Sequence, residues 1–327
     1  LSFFWECVLL ACMPSYLNKV LNQETIAAID LGSNALRAII VRKNGSAVEV
    51  IKNFREPLRL GEDVFNTGFI SPAKMELTEE AFIKLFHVFA EYNVTDTRAM
   101  ATSAMRDSSN GPALAERIAH TTGIEIQTIR GNEEARLIFE AVRGQVNLKK
   151  KTAVLMDIGG GSTELIIVKN EEVVAVESFN VGTVRLLRYN QEDLEEVIAE
   201  QMDKMLAFIA THLKNKKPNL FIGTGGNLRR IGKIRKKILG KSTSQLALFS
   251  EISHMEEAIL SMSYVDRIRR LELDQNRADV ILPAIMLTHH LMEKLKLKEI
   301  HLPKVGLKEG IILSMLPKAP KKFILKD

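Results

Sequence analysis

Two stretches of this chain repeat one another without a gap. "TIAAIDLGSNALRAIIV" covers Thr25–Val41 and "TAVLMDIGGGSTELIIV" covers Thr152–Val168, so that Asp30 aligns with Asp157 and Gly32 with Gly159. Ile39-Ile40-Val41 likewise falls on Ile166-Ile167-Val168. A repeat of this kind points to two copies of one supersecondary unit. Each copy reads as a buried strand, a tight polar turn and a second strand, because its apolar runs are short, rich in branched residues and bounded by turn chemistry. The expectation is one hairpin in each of two domains, for which 327 residues suffice.

The turns interrupt good strands with groups that bury nothing. Glycines let backbone N–H groups approach a ligand with no Cβ in the way, and successive amides form a concavity that suits an anion. Gly32, Gly159, Gly160 and Gly161 are therefore candidate phosphate contacts, with Ser33, Asn34, Ser162 and Thr163 adding hydroxyl and amide partners. Asp30 and Asp157 end the first strands, where they are placed to hold a hydrated Mg²⁺ that shares phosphate oxygens. One copy alone reads equally well as a structural turn; two copies favour a pair of phosphate loops facing across a cleft. A third loop, "LFIGTGGNLRRIG" from Leu220, carries Gly223, Gly225 and Gly226 ahead of a helix. It is neither a Walker A sequence nor a G-x-G-x-x-G fingerprint.

The three loops together resemble the actin-like ATPase superfamily. That resemblance implies an α/β fold of two actin-like (ribonuclease H-like) domains, with mixed sheets flanked by helices and the site in the cleft between them. The expected boundaries are 24–137 for the first domain, joined by a C-terminal helix within 306–327, and 138–305 for the second. Residues 1–23 are expected to be an extension. With Glu6, no basic start and Met13 downstream, its opening reads as an overextended start rather than a signal peptide.

Composition narrows the function. With 46% hydrophobic and 26% charged residues, neither a disordered chain nor an integral membrane protein is suggested. The net charge of +5 tilts the odds toward a polyanionic partner. Both cysteines, Cys7 and Cys12, fall in the first dozen residues, which leaves no disulfide framework or thiolate zinc site elsewhere and points to a reducing cytosol.

Two further stretches choose among reactions. "ATSAMRD" from Ala101 follows a strand-like run and puts Arg106 just past its end. "GIEIQTIRGNEEARLIFEAV" from Gly123 reads as a strand, a turn at Gly131-Asn132 and a helix opened by Glu133 and Glu134, where carboxylates suit the positive end of the dipole. With "RLGEDVFNTGFIS", "MDIGGGSTEL", "NVGTVRL", "IGTGGN" and "GLKEG", the ordered set resembles the exopolyphosphatase and guanosine pentaphosphate phosphatase family over most of the chain, in its short two-domain form. The resemblance implies Mg²⁺-dependent hydrolysis of terminal phosphoanhydride bonds, of polyphosphate, of pppGpp or of both, in the cytoplasm. It also implies a homodimer, and no specific nucleic-acid or membrane partner. Carried over, Glu134 would activate the attacking water, Asp157 and Glu164 would hold the metal, and Asp30 would face it from the other domain. Arg106 and the amides of the two hairpin turns, with Gly225 and Gly226 of the third loop, would hold phosphate. The rival readings are an ATP-using kinase or ATPase of the same superfamily, and a sensor that binds nucleotide or polyphosphate without turnover.

Lys308 stands in "GLKEG" where the family often has arginine, a position read as structural; the third loop departs toward Asn227-Leu228-Arg229-Arg230, where nucleoside recognition would differ. Arg229, Lys233 and Lys236 or Lys237 recur at near-helical spacing. The strip suits a solvated face with Ile231, Ile234 and Ile238 inward, or alternatively a track for a polyanion. The histidines, His289-His290 included, show no metal-ligand spacing and read as structural. From Gln191 to about Leu313 the apolar spacing predicts mainly helix outside "NLFIGTGG".

Overall fold

The computed structural model describes residues 24–44, 47–214, 216–317 and 322–324. The expected N-terminal extension, with Cys7, Cys12 and Met13, lies outside the described residues.

The first half begins as an antiparallel meander of β1 (Thr25–Leu31), β2 (Ala35–Asn44) and β3 (Ala47–Pro57). Helices α1 (Leu60–Thr67) and α2 (Pro72–Glu91) lead to β4 (Asp96–Ala101), parallel to β1. Then come α3 (Ser103–Asp107), α4 (Gly111–Thr122), β5 (Ile126–Thr128), parallel to β4, and α5 (Gly131–Arg143). The second half repeats the plan with β6 (Thr152–Ile158), β7 (Thr163–Lys169), β8 (Glu172–Phe179), α6 (Gln191–Leu213), β9 (Leu220–Thr224) and α7 (Gly225–Leu239). It continues through β10 (Leu246–Leu248), α8 (Phe249–Leu260), α9 (Tyr264–Leu271), α10 (Gln275–Ala278), α11 (Ile281–Lys294) and β11 (Glu299–His301). Helix α12 (Leu307–Met315) and β12 (Lys322–Ile324) return to the first sheet, where β12 pairs with β3.

The sheet orders are β12-β3-β2-β1-β4-β5 and β10-β11-β9-β6-β7-β8. Five strands of each sheet thus follow one order, with β12 and β10 added at different edges. Even the irregularity repeats: the β2–β3 register shifts between Ile40 and Val41, and the β7–β8 register between Ile167 and Val168, which are aligned positions. The two mixed sheets flanked by helices are the fold class that the resemblance of the three loops implied.

Alternation along the strands sorts side chains into layers. Ala27, Ile29 and Leu31 face a core with Phe82, Leu85 and Leu114 of α2 and α4. Ile26 and Ala28 face a central core shared with Ile138 and Val142 of α5, Ile311 and Ile312 of α12, and Ala153 and Leu155 of β6. Val154, Met156 and Ile158 point the other way, against α6, α7, α8 and α11. Strands covered on both faces are apolar at nearly every position, which is why β1 and β6 read as continuous buried runs. Helix α12 crosses α5 so closely that a Cβ on Gly310 would lie 2.1 Å from the Leu137 carbonyl oxygen. The region after Gln191 is mainly helical outside β9, as its apolar spacing predicts, and β10 and β11 are two short strands added to it. Each is three residues long, too short to break a helical pattern from the sequence alone, and exists because a sheet edge supplies its partner. Among the described residues no helix is long and apolar enough to cross a membrane.

Candidate active site

The β1–β2 and β6–β7 turns meet at the bottom of a cleft between the sheets. In both, the first glycine amide closes its own turn: Gly32 N donates to Ala35 O at 3.2 Å and Gly159 N to Ser162 O at 2.9 Å, again aligned positions. The next carbonyls are gripped from outside. Ser33 O accepts from Gly61 N at 2.9 Å, and Gly160 O accepts from Val184 N and Arg185 N at 2.8 and 3.0 Å. Because the two ends of a peptide point opposite ways, these grips turn the Asn34 and Gly161 amides to the other side. A Cβ on Gly160 would come within 3.0 Å of the Ser33 Cβ and 3.4 Å of the Asn34 amide, so the loops can face each other this closely only with glycine there.

Neighbouring motifs brace the loops. Arg185 of "NVGTVRL" donates through Nε to Gly161 O at 2.7 Å, pairs with Asp107 of "ATSAMRD", and lies 3.9 Å from the ring centre of Phe65 in "RLGEDVF". Ser33 Oγ lies 2.9 Å from Ser103 Oγ at the start of α3. The third loop follows β9, and Gly225 opens α7 at φ +90°, a left-handed conformation that glycine adopts without strain.

Three buried acids converge beneath the second loop. One carboxylate oxygen from each of Glu134, in the first turn of α5, Asp157, at the end of β6, and Glu164, on β7, lies within 4.8 Å of the others. Asp157 Oδ1 accepts from Thr224 Oγ1 at 2.5 Å and Glu164 Oε1 from Ser178 Oγ at 2.8 Å. Glu134 Oε2 and Glu164 Oε2 are buried and lack a hydrogen-bond partner among the described residues. Burial, then repulsion from Glu164 and Asp157, pushes Glu134 well above the ordinary carboxylate range. Burial and Asp157 push Glu164 up to about 7, with Ser162 and Ser178 opposing. Asp157 is also raised, by burial, against the hydrogen bond from Thr224. Unpartnered buried oxygens in an all-oxygen set fit a hard divalent cation such as Mg²⁺.

The cleft cavity is lined by Asp30, Gly32, Ser33, Asn34, Glu134, Asp157, Gly159, Gly160, Ser162, Gly225 and Gly226, which brings most of the expected site together. Four expected residues stay outside that lining. Glu164 lies behind Asp157 as a strand neighbour, and Thr163 donates its hydroxyl to Val181 O at 2.6 Å. Gly161 packs against Phe65 and Ser103. Arg106 donates to Ile129 O at 2.9 Å, and its charge opposes the upward shifts of Glu134 and Glu164. Asp30 lines the cavity, but its carboxylate pairs with Arg37 at 3.1 Å.

Arg37, Thr224, Ser103 and Glu309 line or support the site and were not singled out by sequence. Lys308, read as structural, lies in the lining where α12 returns to the cleft mouth, its amine 2.5 Å from Asn53 Oδ1 and 2.9 Å from Glu309. Arg37 was within reach, because in the repeat it aligns with Glu164.

Arg37, Arg229 and Lys308 also line a second cavity of about 460 Å³, which adjoins the first. Arg55, Arg230, Lys233, Arg277 and Lys304 complete its basic lining, against one carboxylate, Glu309. Burial first, then Arg55, Arg230 and Arg37, pushes the Arg277 guanidinium down from its ordinary value. The strip on α7 is therefore divided. Ile231 and Ile234 are buried and Arg229 and Lys233 face the cavity, while Lys237 pairs with Glu272.

The model of the Ppx/GppA phosphatase family matches residues 39–319. Exopolyphosphatase 1 of Mycobacterium tuberculosis is 25% identical over 302 residues, spanning 89% of this chain and 88% of that protein. The crystal structure of an exopolyphosphatase from Cytophaga hutchinsonii superposes with a TM-score of 0.83 at 25% identity, covering 89% of this chain and 97% of the other. An Aquifex aeolicus Ppx/GppA family member superposes at 0.74 with 22% identity, covering 90% and 97%, and shares the fold.

Proposed function

We propose, from the premise that the chain belongs to the Ppx/GppA phosphatase family, that it hydrolyses terminal phosphoanhydride bonds, releasing orthophosphate from inorganic polyphosphate, converting pppGpp to ppGpp, or both. The observation that carries the reading is the junction of two cavities of opposite character. An acid cluster able to hold a cation sits at the closed end, and a basic chamber of about 460 Å³ runs from it. A polyanion whose last phosphate enters the first cavity would lay its remaining charge along Arg37, Arg229, Lys308, Arg277 and Arg55. Asp274 pairs with Arg55, Arg230 and Arg277, Asp30 with Arg37 and Glu309 with Lys308, so the eight basic side chains of the lining still outnumber their carboxylate partners, and a polyanion would supply the missing counter-charge. The family's curated exopolyphosphatases support the same substrate class.

In this reading the hairpin amides hold the terminal phosphoryl group in line with a water beside Glu134. Phosphoryl transfer depends mainly on alignment and neutralisation of oxygen charge. Mg²⁺, held by Asp157 and Glu164 and faced by Asp30, would supply that neutralisation. Glu134 takes the water proton at Oε2, its buried unpartnered oxygen. The water oxygen bonds to phosphorus as the bridging P–O bond breaks, and the shortened polyanion leaves with that bond's electron pair.

The test is phosphate release with Mg²⁺ from long-chain polyphosphate, pppGpp and ATP side by side, with Glu134→Gln as control. Release from polyphosphate or pppGpp that vanishes in the variant is the expected result. Release from ATP alone, or tight binding without release, would move the chain to one of the rival readings.

A further inference from the structure

On the outer face of the second sheet, α8 and α11 pack side by side and bring Glu256, His289 and His290 together. One donor atom of each lies within 4.8 Å of the others; Glu256 is buried, and both imidazoles are half-buried. His289 Nδ1 is in contact with Glu256 Oε2, and its Nε2 lies 2.7 Å from Ser253 Oγ. His290 Nδ1 lies 2.9 Å from the Met286 carbonyl oxygen, one helical turn back. Phe249 stacks on His289 with ring centroids 5.1 Å apart at 21°, which fixes the plane of that imidazole.

An imidazole that serves as a metal ligand holds its other ring nitrogen in a hydrogen bond, which sets both tautomer and direction. Both histidines meet that condition. A carbonyl only accepts, so His290 Nδ1 carries the proton and Nε2 the lone pair. If His289 Nε2–H donates to Ser253, the Nδ1 lone pair faces Glu256. A brace between the helices needs only the His289–Glu256 pair; His290 brings a second imidazole donor within 4.8 Å of both.

We propose that Glu256, His289 and His290 bind a divalent transition-metal ion of the zinc class, at a site separate from the acid cluster of the cleft. Two imidazoles and one carboxylate form a His₂Glu donor set that suits zinc, with water completing the shell. Imidazole nitrogen discriminates against Mg²⁺, whereas the cleft offers oxygen alone. The two sites therefore sort their ions by chemistry. The ion ties α8 to α11, and α11 packs against α7, the helix that carries Arg229 and Lys233.

The experiment uses the full chain, stripped with chelator and returned to buffer with excess Mg²⁺ so that the oxygen cluster is filled. Co²⁺ is titrated and its visible absorption followed, with Zn²⁺ as competitor. One equivalent should bind to the wild type and to Glu164→Gln, and His290→Ala and Glu256→Gln should bind about tenfold more weakly or worse. Among the described residues His290 hydrogen-bonds only to a backbone carbonyl, so circular dichroism of His290→Ala should match the wild type. Independently of any variant, Zn²⁺ should protect His289 and His290 from diethylpyrocarbonate, read by peptide mass. No Co²⁺ uptake by the wild type, equal uptake by His290→Ala, loss of uptake in Glu164→Gln alone, or unprotected His289 and His290 would each overturn the proposal.

Discussion

Glu164 offers a quantitative test of the acid cluster. Its carboxyl rises from 4.5 to about 7, through burial first and Asp157 second. Between those values the folded chain keeps a proton that the unfolded chain has lost. The linked stability is fully present below the lower value and lost as pH rises through the upper one. At ~1.4 kcal/mol per pKa unit, ionising Glu164 removes roughly 3 kcal/mol from the metal-free protein by pH 8. Glu164→Gln removes the titrating group while keeping an oxygen to accept from Ser178, as Oε1 does now at 2.8 Å. Its amide also offers a donor to the neighbouring acids. Thermal melts of chelator-treated wild type from pH 5.5 to 8 should lose several degrees more than melts of Glu164→Gln. Mg²⁺ should restore the wild type at pH 8, add little at pH 5.5, and do less for the variant, because a cation stabilises only the state that binds it. Parallel pH profiles for the two proteins, or equal Mg²⁺ stabilisation, would refute both the cause assigned to the shift and the choice of Glu164 as a ligand.

Three other expectations follow from particular contacts. Glu134→Gln should keep substrate binding and lose roughly 10²- to 10⁴-fold in turnover, measured by phosphate release alongside equilibrium binding; near-normal kcat would remove Glu134 from the base role. Joint replacement of Arg229 and Lys233 by alanine should weaken long polyphosphate more than pppGpp and flatten the salt dependence of KM, and equal effects on both would return these cations to a merely solvated face. Gly310→Ala should lower Tm by an amount equivalent to ~1–3 kcal/mol or more, since its Cβ would meet the Leu137 carbonyl oxygen at 2.1 Å; an unchanged melt would mean that α12 shifts on α5 without cost.

What could be read in advance depended on whether the signal was local. Strand, turn and strand follow one another within Thr25–Val41 and Thr152–Val168, so the hairpins and their alignment were legible, whereas the shared strand order depends on pairing between distant segments. Glu134 was legible because its motif opens a helix within four residues of a turn. The basic chamber was not. Its lining comes from β2 and β3, from α7, from Arg277 and from the segment before α12, and no stretch of sequence juxtaposes them. The same holds for Glu256 with His289 and His290, where the carboxylate lies on one helix and the imidazoles on another. Strands β10 and β11 went unseen because three residues carry no periodicity, and a neighbouring edge makes them strands.

The duplication also explains why the cleft has a direction. A repeated hairpin would by itself build a site with two equivalent halves, each with an aspartate at the end of its first strand. The residue paired with that aspartate across the turn breaks the equivalence: Arg37 stands opposite Asp30 and Glu164 opposite Asp157. In the first copy Arg37 lies 3.1 Å from Asp30 and offsets its charge, although burial still raises that carboxyl. In the second copy two acids are neighbours and Glu134 adds a third, so only protons or a cation can balance them. One half of the site thus demands positive charge, while the other presents Arg37 toward the basic chamber. Under the proposed function, a phosphate chain entering such a cleft would meet cations along its length and, with a cation held by the acids, positive charge at its end, an arrangement that would orient its terminal phosphate toward Glu134.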